Sequence, residues 1–110
     1  MGSSSSYWEA SGDLAGRDPR LHVVNSFRDL ELSVVLARER LSGTKYENTE
    51  EIIAALREQQ QVKPDAAALY LKLKQMRDEV AAGRVTPTIE EARRYAKLVD
   101  DLLPHIRANG

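Results

Sequence analysis

Residues 64–107 decide the fold, and they read PDAAALYLKLKQMRDEVAAGRVTPTIEEARRYAKLVDDLLPHIR. Apolar residues recur in the first half of this stretch at steps of four, three and four, at Leu69, Leu73, Met76 and Val80. That spacing places them on one face of an α-helix. Gly83 suits the end of this helix, because glycine readily adopts the left-handed conformation of a helix stop. The stretch therefore opens with a helix whose apolar face points to a core.

A second helical pattern follows after a short loop. Thr88 and Glu91 have the spacing of a capping box, in which two side chains satisfy the free backbone donors of a helix start. Pro104 lies near the end, where it is expected to kink or terminate the helix. The apolar positions between these points are Ile89, Ala92, Ala96, Val99, Leu103 and Ile106.

The chain before this stretch predicts two more helices. Asp18 followed by Pro19 is typical of an N-cap and a first helical residue, and Gly43 suits the stop. Asn48 and Glu51 repeat the capping-box spacing before a shorter apolar pattern. We therefore predict no strand and four α-helices, over residues 18–42, 49–60, 64–82 and 88–107.

Short connections between such helices favour an all-α fold, a small antiparallel four-helix bundle. The apolar stripe of the first helix is wider than one small bundle needs, so we also expect a homodimer. The predicted core comprises Phe27, Leu30, Val34, Leu69, Leu73, Met76, Val80, Ala96, Val99 and Leu103.

Length and composition support one domain. The chain has 110 residues, of which 42% are hydrophobic and 30% charged, which is enough for one modest core. Residues 1–17 include four consecutive serines and are expected to be a disordered leader or an expression-derived segment, which leaves residues 18–110 as the helical domain. Tyr7 and Trp8 are the exception in this leader. Such a tail tryptophan is usually incidental, although it could dock on the domain or on a partner.

Several function classes are disfavoured by the composition. The formal net charge of -1 argues against a strongly basic nucleic-acid binder and against an acidic tail protein. The absence of cysteine excludes disulfide frameworks, thiolate zinc sites and cysteine nucleophiles. Two histidines cannot make a His-rich metal site, and no apolar run approaches the roughly 20 residues that span a bilayer. We therefore expect no metal and no cofactor.

Residues 69–106 carry, in this order, Leu73, Arg77, Asp78, Gly83, Thr88, Glu90, Glu91, Ala92 and Tyr95. With these residues the segment resembles the C-terminal half of the HEPN superfamily. The resemblance is to bacterial domains of unknown function that carry a segment L-R-x-x-R-N-x-x-x-H-G, a short loop and then T-x-E-E-A-x-x-Y. Residues 18–43 are similar to the family's long first helix, so the resemblance covers residues 18–107 and implies a HEPN-like bundle.

Family members with an intact motif are similar to metal-independent RNases, in which the Arg and the His act on the scissile phosphate at a dimer interface. Here Arg77 holds the Arg position, Asp78 replaces the Asn, and Ala82 stands where the His would be. Alanine has no titratable group, so it cannot serve as a general acid or base. Ala82 is either natural to an inactive member or an introduced replacement. The resemblance thus implies a vestigial motif, whose missing His argues against RNase activity.

The sequence leaves three functions open. The first is a catalytically silent HEPN-like binding or dimerisation module, with RNA or an antitoxin as candidate partners. The second is a regulatory or scaffolding domain of a membrane-anchored bacterial protein, whose tether would lie outside this sequence. The third is an active RNase that uses His22 or His105 instead. The first reading implies a cytoplasmic domain, and its anion-facing residues would be Arg77, Arg84, Arg93 and Arg94.

Overall fold

A computed structural model describes residues 18–42 and 45–107 of the chain. The predicted leader, residues 1–17, and the predicted helix stop at Gly43 lie outside the described residues.

The described residues form four α-helices and no strand, which confirms the all-α prediction. Helix α1 spans Pro19–Ala37 and continues as one turn of 3-10 helix, Arg38–Arg40. The other helices are α2, Thr49–Glu58; α3, Pro64–Ala81; and α4, Ile89–Arg107. Together they make a small four-helix bundle.

The helices begin where the cap residues predict. The Asp18 carboxylate accepts a hydrogen bond from the backbone N–H three residues further on, at 3.1 Å. The Asn48 side chain accepts one from the backbone N–H of Glu51 at 2.9 Å. Thr88 and Glu91 complete a reciprocal capping box, with distances of 3.1 and 2.9 Å. Side chains thus satisfy backbone donors that have no partner inside a helix.

Pro104 does not end α4, because burial of one side chain and hydrogen bonds from an arginine stabilise the last turn of the helix. The Ile106 side chain is completely buried. The Arg40 guanidinium donates hydrogen bonds to the carbonyl oxygens of Ile106 and Arg107 at 2.8 and 3.0 Å. Those carbonyls have no partner inside the helix, and the helix dipole favours a cation beside them. Arg40 therefore caps α4 from the end of the 3-10 turn.

Contacts near the helix ends show how the helices run. Helix α1 packs most extensively against α4, and both point the same way, since Arg40 meets the end of α4. Helix α3 runs opposite to both. In the first turn of α1, the Arg20 guanidinium donates a hydrogen bond to the carbonyl oxygen of Val80, near the end of α3, at 3.4 Å. In the second turn of α4, the Tyr95 hydroxyl donates one to the carbonyl oxygen of Leu73, in the middle of α3, at 2.7 Å. The pairs α1–α3 and α3–α4 are thus antiparallel neighbours.

The core confirms most of the predicted residues and corrects one. The side chains of Leu69 and Leu103 are half-buried against the core, and Ala96 is half-buried as well. The prediction for Met76 is wrong, because 42% of this residue is exposed. The predicted core residues that are buried are Phe27, Leu30, Val34, Leu73, Val80 and Val99.

The buried faces of α3 and α4 keep some predicted positions, such as Leu73 and Val99, and differ from the prediction by one residue at others. Helix α3 buries Tyr70 where Leu69 was expected, and it turns Arg77 toward the core edge in place of Met76. Helix α4 buries Tyr95 and Leu102, next to the predicted Ala96 and Leu103. Because Leu73 and Val80 stay buried, the apolar face of α3 is turned by less than the roughly 100° that a uniform shift by one residue would give. Arg77, a residue of the predicted site, therefore lies on the packed side of α3.

Candidate functional site

Arg77 is the one residue of the vestigial motif that contacts the core. Its guanidinium carbon lies 4.8 Å from the centre of the Phe27 ring, which is a cation–π distance. Phe27 is completely buried, and its ring lies 5.4 Å from that of Tyr70. Only 19% of the Arg77 side chain is exposed. The arginine therefore covers an aromatic pair at the junction of α1 and α3.

The charge of Arg77 is balanced within the fold. Its Nε lies 2.8 Å from a carboxylate oxygen of Asp78, and its Nη1 lies 3.8 Å from one of Glu31. Lys74 continues the series, at 3.4 Å from Asp78 and 3.9 Å from Glu50. This ion-pair chain, Glu31–Arg77–Asp78–Lys74–Glu50, links α1, α3 and α2.

The chain of charges also sets the ionisation of Asp78. Partial burial by itself would raise the pKa of the Asp78 carboxyl. The hydrogen bond from Arg77 and the charges of Arg77 and Lys74 outweigh burial and hold this pKa below its usual value. Asp78 is therefore ionised at neutral pH and is a poor proton acceptor for general base catalysis. The lowered pKa of Asp78 agrees with the effect expected from the positive charges of Arg77 and Lys74 beside it.

Ala82 lies where the chain leaves α3, and its side chain is exposed. Gly83 follows with a φ of 79°, and its N–H donates to the carbonyl oxygen of Val80 at 3.0 Å. The N–H of Arg84 donates to the carbonyl oxygen of Glu79 at 3.0 Å, which completes a Schellman stop. Gly83 thus ends α3 as predicted. Five residues turn an ideal helix through a net angle of about 140°, so Ala82 faces away from Arg77.

The other arginines of the predicted group lie elsewhere. The Arg84 guanidinium forms a two-point ion pair with the Glu79 carboxylate, at 2.9 and 3.3 Å. Arg93 and Arg94 are exposed on the second turn of α4. Arg77 sits in the ion-pair chain between α1, α2 and α3. Ligand binding by these four residues stays a prediction.

The two histidines lie at opposite ends of α1 and α4. His22 is half-buried in the first turn of α1, which approaches the end of α3 through the contact of Arg20 with Val80. His105 is exposed in the last turn of α4, at the end of the bundle that Arg40 caps. His105 is therefore remote from Ala82 along the bundle.

Two buried tyrosines are the titratable groups that the sequence did not place in the core. Burial raises the pKa of the Tyr70 hydroxyl to about 12, and it raises the pKa of Tyr95 as well. Neither hydroxyl is therefore a proton acceptor near neutral pH. The Tyr95 hydroxyl is bonded to the Leu73 carbonyl. The Tyr70 hydroxyl has no well-formed hydrogen bond among the described residues, although the nearby Thr49 side chain acts to lower its pKa against the effect of burial.

A cleft of about 300 Å³ opens beside the vestigial motif, between the start of α1, the end of α3 and the start of α4. We call it the α3–α4 cleft. The Glu79, Glu91 and Arg94 side chains supply its polar lining. Its apolar lining includes Val23, Met76, Val85, Pro87 and Leu98.

A wider hollow of about 970 Å³ lies at the opposite end of the bundle, between the ends of α2 and α4. Arg57, Lys63 and His105 line it together with Glu58 and two glutamines. The charged groups here are of both signs and lie on exposed residues.

Metal-binding clusters and membrane-spanning helices are both absent from the described part of the chain. Residues 18–42 and 45–107 contain no group of three side chains suited to hold a metal ion. Among the described helices, none combines the length and the apolar character that a membrane crossing needs.

No protein-family model, curated protein or solved structure matches this chain. The HEPN resemblance accordingly stays a prediction that rests on the motif residues themselves.

Proposed function

We propose that this chain is a catalytically silent HEPN-like module that acts by binding, with a second copy of itself as its first partner. Three side chains support the proposed absence of catalysis. Ala82 cannot transfer a proton, Asp78 is held ionised by its basic neighbours, and Arg77 is engaged with Phe27.

The binding role is supported by a row of exposed leucines on α1. Leu21, Leu32 and Leu36 are 44%, 54% and 59% exposed. Each lies two residues from a core position, and two residues rotate a helix by about 200°, so the row lies opposite the core. Leu32 and Leu36 are about one turn apart and form an exposed apolar pair, and Leu21 lies on the same face three turns earlier, beyond Asn25 and Arg28. Exposed apolar side chains that gather on one helix face favour an interaction surface. This row is the observation that carries the proposal.

A protein partner fits the chemistry better than RNA does. The formal net charge of the chain is -1, and RNA binding relies on a surplus of cations against phosphates. The Arg77 and Arg84 guanidinium groups are already paired with carboxylates. Of the two partner classes that the resemblance implies, RNA and an antitoxin, we therefore favour a protein, bound through apolar contacts.

The dimer is tested by sedimentation equilibrium at micromolar concentration. We expect the mass of two 12.3 kDa chains for the unaltered protein. The double change Leu32→Glu and Leu36→Glu should weaken association at least about tenfold, because carboxylates would be buried without partners in an apolar interface. The control is Val85→Glu, which alters an exposed valine in the α3–α4 connection and should leave association unchanged. A single 12.3 kDa species for the unaltered chain would refute the dimer.

A further inference from the structure

The α3–α4 cleft lies where the chain enters the bundle. Val23, in the second turn of α1, forms part of its lining. Arg20 in the first turn contacts the carbonyl oxygen of Val80 at 3.4 Å, and Val80 lines the same cleft. The described part of the chain therefore begins at the edge of this cleft.

The size and chemistry of the cleft select a small apolar occupant. A volume of about 300 Å³ is at the lower end for sites that bind small molecules, and it is too small for a whole amphipathic helix. Met76 and Val85, in its lining, are 42% and 47% exposed. One aromatic side chain would cover these apolar groups and leave its polar edge at the rim.

The segment before α1 carries such a side chain within reach. Trp8 is the only tryptophan of the chain, and it is ten residues from Asp18. Ten residues span at most roughly 33–36 Å. Helix α1 rises only about 6 Å from Pro19 to Val23, so the separation of ten residues from Trp8 to Asp18 is long enough for Trp8 to reach the cleft.

Charge complementarity favours the same segment. Of the two carboxylates that line the cleft, Glu79 is paired with Arg84, and Glu91 accepts the hydrogen bond of the Thr88 N–H. Arg94 lines the cleft as well and makes no ion pair within 4 Å to any residue of 18–42 or 45–107. Glu9 directly follows Trp8. We propose that Trp8 fills the α3–α4 cleft of its own chain, with Glu9 placed beside Arg94.

Fluorescence of Trp8 tests this assignment without any added label, because no other tryptophan contributes. The full chain is compared with a synthetic peptide of residues 1–17. We expect a blue-shifted emission maximum and an acrylamide quenching constant several-fold below that of the peptide, since an indole in the cleft is shielded from water. Val85→Glu places a carboxylate in the cleft lining and should return both values to those of the peptide.

The matched control is Leu36→Glu, which makes the same chemical change on the far side of α1 and should leave the Trp8 signal unchanged. Circular dichroism of each variant verifies that the helices are intact. Peptide-like emission from the unaltered chain, or a blue shift that survives Val85→Glu, would overturn the proposal. A blue shift that disappears on dilution would place Trp8 on a second molecule and would also overturn it. Loss of the dimer alone would not change the signal, so this test is separate from that of the proposed function.

Discussion

Replacing Leu73 with alanine is expected to lower the free energy of unfolding by about 2–5 kcal/mol, as is typical of a buried leucine truncated in a packed core. Leu73 is completely buried on α3, and its carbonyl oxygen accepts the hydrogen bond of the buried Tyr95 hydroxyl. The loss combines the transfer of the side chain with the cavity that it leaves between α3 and its neighbours. Chemical denaturation followed by circular dichroism measures it.

Leu71→Ala is the matched control for this experiment. Leu71 lies two positions earlier on the same helix, and 41% of it is exposed. The same atoms are removed, but little buried contact is lost, so the change should stay within about 0.5 kcal/mol. A cost below about 1 kcal/mol for Leu73→Ala would show that the described packing of α3 is wrong.

Replacing Arg77 with alanine is expected to cost about 2 kcal/mol of stability, which is large for an arginine and reflects its contact with the core. The cation–π contact with Phe27 contributes roughly 0.5–2 kcal/mol. The alkyl stem also covers the buried ring, and Glu31 loses its ion-pair partner on α3. Arg77→Met should recover part of the loss, because it restores the apolar cover without the charge.

The comparison for Arg77 is Arg84→Ala. Arg84 is exposed and pairs with Glu79 at the surface, where such pairs contribute about 0–1 kcal/mol. Denaturation of the two variants side by side separates a structural arginine from a surface one. If Arg77→Ala proved no more costly than Arg84→Ala, the Arg77 guanidinium would be available to a ligand, and its structural role would be wrong.

The sequence was sufficient to predict the helices because their signals are local. The caps at Asp18, Asn48 and Thr88 act within one turn, and each forms the predicted hydrogen bond. The glycine stop at Gly83 is equally local. Helix starts and stops of this kind depend on few residues, so they can be recognised without knowledge of the tertiary fold.

The orientation of each helix was harder to predict, because it depends on partners distant in the chain. On α3, the spacing 69–73–76–80 and the spacing 66–70–73–77–80 both fit a helical face. The second is the buried one, and it includes Arg77, a residue that apolar patterning rejects. Only the position of Phe27, 50 residues earlier, makes the arginine favourable there.

Dependence on residues distant in the chain also limits what the motif alone can predict about the site. The resemblance named Arg77 and Asp78 as motif residues, and the structure joins them in a 2.8 Å ion pair, while their role as a site stays a prediction. It gave no signal for Glu31, which joins them from α1, or for the α3–α4 cleft beside the motif. Tyr95 was recognised as a motif residue, but its role in joining α4 to α3 required the fold.

The most direct test of the central claim is incubation of the purified protein with structured and single-stranded RNA in EDTA, beside the variants Ala82→His and Arg77→Ala. General acid–base assistance is typically worth roughly 10²–10⁴-fold, and no group at position 82 supplies it. We predict no cleavage by the unaltered chain. Cleavage by the Ala82→His variant alone would support a degenerate HEPN-like site. Robust cleavage by the unaltered chain that Arg77→Ala abolishes would contradict the account.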